Sequence, residues 1–324
     1  MKNFKRLLCV VNPEQNYQSA VERAVVLAEN NQAHLKVVAT MERNGALVRL
    51  AQRDIDQSHT DLVNARLHRL ETSLAPYRQR TEIQTEILVG IPFLEVIREV
   101  LRNNHDLVIK MPENPGLLRS IFGSDDMHLL RKCPCAVWML KPESPASYQR
   151  ILAAVDVGGT YAAEEMQTRL ALNQKVLETA ASLAISDFAE LHVVTVWDAD
   201  AVRSLYGTLT GNPQQTIDAY VAELRDEHEE ALEALMHEVV GNLGTEVMDY
   251  LKPVRHVVNG SPRREIPTLA KQTQADVVVM GTVARTGIPG FIMGNTAETI
   301  LNQIDCSVLA IKPPGFASPV TLDA

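Results

Sequence analysis

The chain has little of several residue types that mark whole classes of protein. Its 324 residues include only 4 cysteines, too few for a disulfide framework, which favours a reducing, cytoplasmic location. Aromatic residues make up 5%, which argues against stacking platforms for single-stranded nucleic acid. The net charge of -9 disfavours nucleic acid and anionic membranes as partners.

Long apolar runs and common catalytic motifs are also missing. No stretch approaches the roughly 18 apolar residues of a membrane span. The apolar run from Leu7 to Val11 stops at Asn12-Pro13 and is too short for a secretion signal. The sequence contains no Walker lysine motif, no Gly-x-Ser-x-Gly elbow and no His-Glu-x2-His pair. We therefore expect no membrane span and little covalent chemistry.

Two similar halves follow one another along the chain. The matching segments are 4–12 with 148–156, 105–111 with 275–281, and 129–142 with 300–313. A cluster of Pro and Ser at 142–147 separates the halves, because neither helix nor strand continues through it. We predict tandem domains at 1–143 and 148–315, followed by a tail at 316–324.

Short apolar runs alternate with helical patterns in each half. Continuous Val, Ile and Leu runs are typical of strands buried on both faces, so each half is predicted to be α/β with a doubly wound parallel sheet. In the second half the predicted strands are 151–155, 191–197, 254–258, 277–281 and 307–311. The predicted helices are 170–185, 213–240, 262–273 and 296–304.

The segment after the fourth strand of the second half carries the clearest chemical signal. A β-branched run ends at Gly281, a loop rich in glycine and hydroxyl residues follows, and Asn295 is predicted to cap a helix, with Glu298 completing a capping box. Gly281 and Gly294 allow close backbone approach where the strand passes to the helix. The pattern predicts a phosphate site, and an ordinary strand-to-helix loop is the alternative.

The spacing of this loop resembles the nucleotide motif of the universal stress protein family, Gly-x2-Gly-x9-Gly-[Ser/Thr]. Gly281 and Gly294 match the first and third glycines. Ala284 stands in place of the second glycine, and Asn295-Thr296 replaces the usual ending. The sequence thus departs from the family motif at two points, a methyl group at Ala284 and an amide at Asn295.

Two more segments, 151–156 and 306–313, resemble the first and last strands of the same family. The resemblance covers nearly the whole chain and points to the tandem-domain members. It implies two five-stranded Rossmann-like domains with the strand order 3-2-1-4-5. In that order Asp156 and Gly281 face one crevice at the point where the winding of the sheet reverses.

The resemblance implies that the second half binds an adenine nucleotide, ATP or AMP. Magnesium is a candidate metal ion bound together with the nucleotide. Asp156 would accept from the exocyclic amine, and Val196 would offer backbone groups to the ring. The phosphates would contact Gly281, Ala284, Arg285, Gly294, Asn295 and Thr296. Two alternatives stay open: Asp156 as a turn former before two glycines, and Arg285 as a solvated loop residue.

The first half has lost most of this pattern. Asn12 stands at the position of Asp156, Met111 adds bulk, and Glu113 adds negative charge. Asp125 and Asp126 add further charge that repels phosphate at the start of the next helix. We interpret this half as a degenerate site, kept for structure or for another ligand.

A regulatory nucleotide-binding protein of the stress response is the leading functional prediction. The loop offers only Arg285 as a cation, and no general base is evident, so catalysis would be weak ATP hydrolysis at most. A scaffold or a carrier of an apolar ligand is the alternative, because the helical stretches 46–77 and 213–240 could line a cavity over the sheet. A stripe from Tyr220 to Val239 would lie in the core or face that cavity.

Two structural features of the chain complete the predictions. Cys133-Pro134-Cys135 with His128 suggests zinc, but the spacing is not standard, so we interpret it as a helix end and strand start. In universal stress proteins the last strand commonly forms the dimer contact. The resemblance therefore implies that the last strands of the two halves, 136–140 and 307–311, pair within one chain. Any larger homodimer would use other surfaces.

Overall fold

The computed structural model describes residues 4–42, 55–112, 122–158, 163–199, 214–241, 244–282 and 293–322. The chain divides into two compact units. The first unit is Met1–Ala146 with Ala317–Ala324, and the second is Ser147–Phe316. None of the described helices combines the length and the apolarity that crossing a membrane requires.

The first unit alternates strands and helices. Its elements are β1 (Arg6–Val11), α1 (Gln18–Asn31), β2 (His34–Met41), α2 (Ile55–Leu74), a short 3-10 turn (Tyr77–Gln79), β3 (Ile83–Val89), α3 (Pro92–Asn103), β4 (Leu107–Lys110), α4 (Ser124–Lys132) and β5 (Ala136–Met139). Pro92 opens α3, where its missing amide hydrogen leaves no helical bond unmade.

The second unit follows the same plan with longer helices. Its elements are β6 (Arg150–Val155), α5 (Ala163–Asp187), β7 (Glu190–Trp197), α6 (Gln214–Gly241), α7 (Thr245–Leu251), β8 (Val254–Asn259), α8 (Pro262–Gln272), β9 (Val277–Gly281), α9 (Asn295–Leu301) and β10 (Ser307–Ile311). The repeat seen in the sequence is therefore a repeat of structure.

Each unit contains a five-stranded sheet. The orders are β3-β2-β1-β4-β5 and β8-β7-β6-β9-β10, and the described pairs within each unit run parallel. Counted from each unit's own first strand, both orders read 3-2-1-4-5. The predicted fold class, a tandem pair of doubly wound parallel sheets, is confirmed. The winding reverses between β6 and β9, where such folds hold their ligands.

Burial of the central strands explains their continuous apolar sequences. Leu7, Leu8 and Cys9 of β1 are fully buried, and so are Val277 to Val279 of β9. A parallel sheet with helices on both faces leaves no strand face in contact with water. Apolar and polar residues therefore do not alternate along these central strands, because both faces of the sheet are packed against helices.

Several element boundaries differ from the sequence predictions. Helix α5 begins at Ala163, about two turns before the predicted start at residue 170. Helix α7 was not predicted, and residues 46–54 of the first predicted long helix lie outside the described residues. Leu235 and Val239 of α6 are buried, but Tyr220 is 37% exposed. The core interpretation of the stripe therefore agrees with Leu235 and Val239 but not with Tyr220.

Candidate functional site

A cavity of about 390 Å³ lies at the carboxyl ends of β6, β7 and β9 in the second unit. Its apolar wall includes Leu172 of α5, Ile266 of α8, and Met280 of β9. Polar groups reach it from Asp156, and from Arg169 of α5. An apolar cavity of this size with a few convergent polar groups is typical of small-molecule sites.

Five of the residues predicted to bind a nucleotide lie together on the wall of this cavity: Asp156, Val196, Gly281, Gly294 and Thr296. Three strands place the first three of them, because Asp156 follows β6, Val196 lies near the end of β7, and Gly281 ends β9. Gly294 and Thr296 come from the start of α9. Ala284 and Arg285 lie outside the described residues.

Asn295 does not line the cavity but is exposed at the first position of α9. The predicted helix cap at Asn295 is wrong, because Gly294 is the N-cap residue. Gly294 has an extended backbone, and its carbonyl accepts from the Glu298 amide at 3.0 Å. The helix therefore begins one residue earlier than a side-chain cap at Asn295 would require.

Two residues of α5 fix the position of Asp156. An Arg169 Nη1–H donates to Asp156 Oδ2, and Arg169 Nη2 lies 3.0 Å from Glu165 Oε1. Asn173 accepts from the Asp156 amide at 3.1 Å and donates to the Asp156 carbonyl at 2.6 Å. Asn173 is buried, so this double contact holds the end of β6 firmly against α5. The Asp156 side chain itself is 54% exposed and accessible to a ligand.

Arg169 is a candidate site residue that the sequence prediction did not include. Arg285 is predicted as the only cation of the loop; Arg169 lies outside that loop, on α5, and its side chain lines the cavity. Helix α5 was predicted to start at residue 170, so Arg169 was not placed on any element. The signal that could have found it is a helical pattern extended back through Glu165 and Arg169, which form an i,i+4 ion pair.

The end of β9 is packed closely against its surroundings. A Cβ atom on Gly281 would lie 2.6 Å from Leu172 Cδ2, so only glycine fits without moving that side chain. Thr282, which is fully buried, accepts a hydrogen bond from Lys312 Nζ at 2.9 Å through its hydroxyl group. The Thr282 carbonyl accepts from the Gly294 amide at 3.1 Å. These contacts fix both ends of the loop that carries the predicted motif.

The corresponding place in the first unit is nearly filled. Its cavity measures about 30 Å³ and is lined in part by Asn12, Lys110 and Met111. Lys110 Nζ lies 2.5 Å from the buried carboxylate of Asp126. The Asn12 side chain accepts from the Glu14 amide at 3.0 Å, which closes a local turn.

A family model confirms what the motif indicated. The model for the universal stress protein family matches residues 3–141 and 147–312. The chain belongs to the universal stress protein family. Proteins named universal stress protein E from Salmonella typhi and Escherichia coli (strain K12) are each 31% identical to it over 329 residues. Those alignments cover 100% of this chain and 99% and 98% of the two relatives.

Solved structures agree with this membership. A functionally unknown protein from Pseudomonas aeruginosa PAO1 is 27% identical, with a TM-score of 0.66 over 96% of this chain and 94% of that chain. A putative universal stress protein from Pseudomonas aeruginosa UCBPP-PA14 is 28% identical to this chain and has the same TM-score and the same coverage. A universal stress protein from Archaeoglobus fulgidus DSM 4304, at 17% identity and TM-score 0.61, covers 96% of this chain and 99% of its own and shares the fold.

Proposed function

We propose that this universal stress protein binds an adenine nucleotide, ATP or AMP, in its second unit and acts in the stress response as a regulatory protein rather than an enzyme. The cavity beyond β6, β7 and β9 carries this proposal. It is lined by the Asp156 carboxylate, by Val196 at the end of β7, and by Gly281 and Gly294 at the two ends of the glycine loop, which supports this assignment.

Asp156 would accept a hydrogen bond from the adenine amine, with its carboxylate oriented by Arg169. The edge of β7 at Val196 would meet the ring, and Gly281, Gly294 and Thr296 would approach the phosphates. Ala284, Arg285 and Asn295 are proposed for the same phosphate contacts on the motif alone. The Arg169 guanidinium adds a positive charge that can also attract a phosphate.

Magnesium would arrive with the phosphates of the nucleotide. Among the described residues, no group of three or more His, Cys, Asp or Glu side chains is arranged to hold a metal ion. A divalent ion would therefore depend on phosphate oxygens for part of its coordination, as magnesium usually does.

The difference between the two units predicts one nucleotide per chain. Calorimetric titration of the full-length protein with ATP should give a stoichiometry near one. Gly294→Asp should abolish binding, because it adds charge and bulk where the phosphates would lie. Gly123→Asp, at the equivalent position of the first unit, is the matched control and should leave binding unchanged. Two ATP molecules per chain, or ATP binding by Gly294→Asp, would contradict the proposal.

An apolar ligand is the second candidate, because Leu172, Ile266 and Met280 line the same cavity. Native mass spectrometry of the purified protein distinguishes the two, since a nucleotide and a lipid-like molecule add different masses. Weak ATP hydrolysis, a scaffold role, a cytoplasmic location, pairing of the two domains and a homodimer are further proposals from the sequence. Each can be tested on the full-length protein.

A further inference from the structure

The first unit contains two thiols held next to each other, outside the site described above. Cys133 follows the last residue of α4, and its amide donates to the Leu129 carbonyl at 2.9 Å. Cys135 directly precedes β5, with Pro134 between them. The two Sγ atoms are 3.5 Å apart. A helix end and a strand start thus hold both sulfur atoms in contact.

This separation is short enough for a disulfide to form with a small movement. Sulfur atoms in a disulfide lie about 2.05 Å apart, and the bond requires neighbouring Cβ atoms that point toward each other. The two sulfur atoms are already in contact, and either can donate its hydrogen to the other. Pro134 restricts the backbone between them, so the pair stays together in the reduced protein.

Exposure gives the two thiols different roles. Cys133 is fully buried, whereas Cys135 is partly exposed and accessible to a small oxidant. Cys135 is therefore the group that meets an oxidant, and Cys133 is the group that resolves the product.

The other two cysteines lack this arrangement. Cys9 lies in the middle of β1, and complete burial raises the pKa of its thiol to about 12, which keeps it unreactive. Cys306 occupies the position in the second unit that Cys135 occupies in the first, with the same partial exposure. Where the first unit has Cys133, the second has the buried Ile304. Cys306 therefore serves as the equivalent cysteine for a control variant.

We propose that Cys133 and Cys135 are a redox-active pair that a hydroperoxide oxidises to a disulfide within one chain. The Cys135 thiolate attacks the terminal peroxide oxygen, the O–O bond breaks, and the alcohol or water leaves as Cys135 becomes a sulfenic acid. The Cys133 sulfur then attacks Cys135 Sγ, the S–O bond breaks, and water leaves with the Cys133 proton. Two thiols and one peroxide yield one disulfide, one alcohol and one water.

The test uses the full-length protein, fully reduced, treated with a chelator and then with hydrogen peroxide. Intact mass should fall by two hydrogen atoms, alkylatable thiols should drop from four to two, and a reducing agent should restore both. Peptide mapping should place the bond between Cys133 and Cys135. Cys306→Ser is the matched control and should oxidise as the natural protein does.

Single variants assign the two roles. Cys135→Ser should lose the disulfide, and Cys133→Ser should lose it while gaining one oxygen atom at Cys135, detectable with a sulfenic acid reagent. A disulfide that maps to any other pair or joins two chains would overturn the proposal, and so would oxygen addition without loss of two hydrogens. If a variant fails to fold, peptide mapping of the oxidised natural protein still decides the result.

Discussion

Lys110 and Asp126 form a buried ion pair in the first unit, with Nζ and Oδ1 2.5 Å apart. The equivalent residues in the second unit are Met280 and Ala297, which line the open cavity. Asp126 Oδ2 also accepts from the Gly123 amide at 3.0 Å. The first unit therefore supplies its own anion at the start of α4, and this internal pair takes the space that a ligand would need.

Breaking this pair should destabilise the first unit strongly. Lys110→Met leaves the Asp126 carboxylate buried without its ammonium partner, and removal of one member of a buried pair typically costs about 3–5 kcal/mol. The double variant Lys110→Met with Asp126→Ala copies the second unit and should recover much of that loss. A double variant as unstable as the single one would show that the carboxylate is not the source of the cost.

The measurement can be confined to the first unit. The chain has 2 tryptophans, the buried Trp138 in the first unit and Trp197 in the second. In a Trp197→Phe background, urea unfolding followed by fluorescence reports on the surroundings of Trp138 alone. Each variant and its parent should be compared in that background, since the two units need not unfold together.

Gly281→Ala should affect ligand binding more than stability. The added Cβ would lie 2.6 Å from Leu172 Cδ2, the end of a flexible side chain on the cavity wall. Leu172 can rotate into the cavity, so the loss of stability should be about 1 kcal/mol, the low end of the range for an added methyl group in a packed site. The displaced side chain should weaken ATP binding by roughly tenfold, a loss of about 1.4 kcal/mol. Calorimetry and thermal unfolding of the same sample measure the two effects.

Leu172→Ala in the Gly281→Ala background is the matched control. It removes the side chain that the new methyl group displaces, so ATP affinity should return toward its original value. If the double variant binds as weakly as Gly281→Ala alone, then Gly281 is needed for direct approach to the ligand and not for its fit against Leu172.

The sheets could be predicted from the sequence because burial on both faces gives the central strands continuous apolar sequences. Contacts between elements could not be predicted in this way. Arg169 and Asp156 are 13 positions apart and meet only because α5 packs across β6. The sequence predicts that the charge of Asp126 repels phosphate. It does not predict the ion pair between Asp126 and Lys110, which depends on how α4 packs beside β4. Local patterns specify elements, whereas site electrostatics depend on how the elements pack.

Ala284→Gly should tighten ATP binding. Ala284 stands where the family motif has its second glycine, and its methyl group would limit the approach of the backbone to a phosphate. Relief of a small steric mismatch is worth about 1 kcal/mol or less, so the dissociation constant should fall by up to roughly fivefold. Titration with ATP and with adenosine checks the cause, because only the nucleotide with phosphates should gain affinity.

Glu99 of α3 is a buried carboxylate with three polar partners in the first unit. Its Oε1 accepts from Lys36 Nζ at 2.6 Å and from Asn103 Nδ2 at 2.7 Å, and lies 3.3 Å from His105 Nε2. Burial acts to raise the pKa of Glu99, but the hydrogen bonds from His105 and Lys36 outweigh it and lower the pKa from 4.5 to about 2. The folded state therefore favours the ionised carboxylate.

This shift predicts a loss of stability in acid. A carboxyl group with a lowered pKa in the folded state stabilises it fully above the ordinary value of 4.5, and the contribution disappears as the pH falls toward 2. The full effect is about 3 kcal/mol. Glu99→Gln should be less stable than its parent at neutral pH, and the difference should shrink as the pH falls below about 4.5.

Urea unfolding in the Trp197→Phe background at several pH values measures how the stabilities of Glu99→Gln and its parent converge. Glu86→Gln is the control, because Glu86 is a 49% exposed partner of the same Lys36 and should contribute little. A constant difference between Glu99→Gln and its parent at every pH would show that ionisation of Glu99 is not the cause.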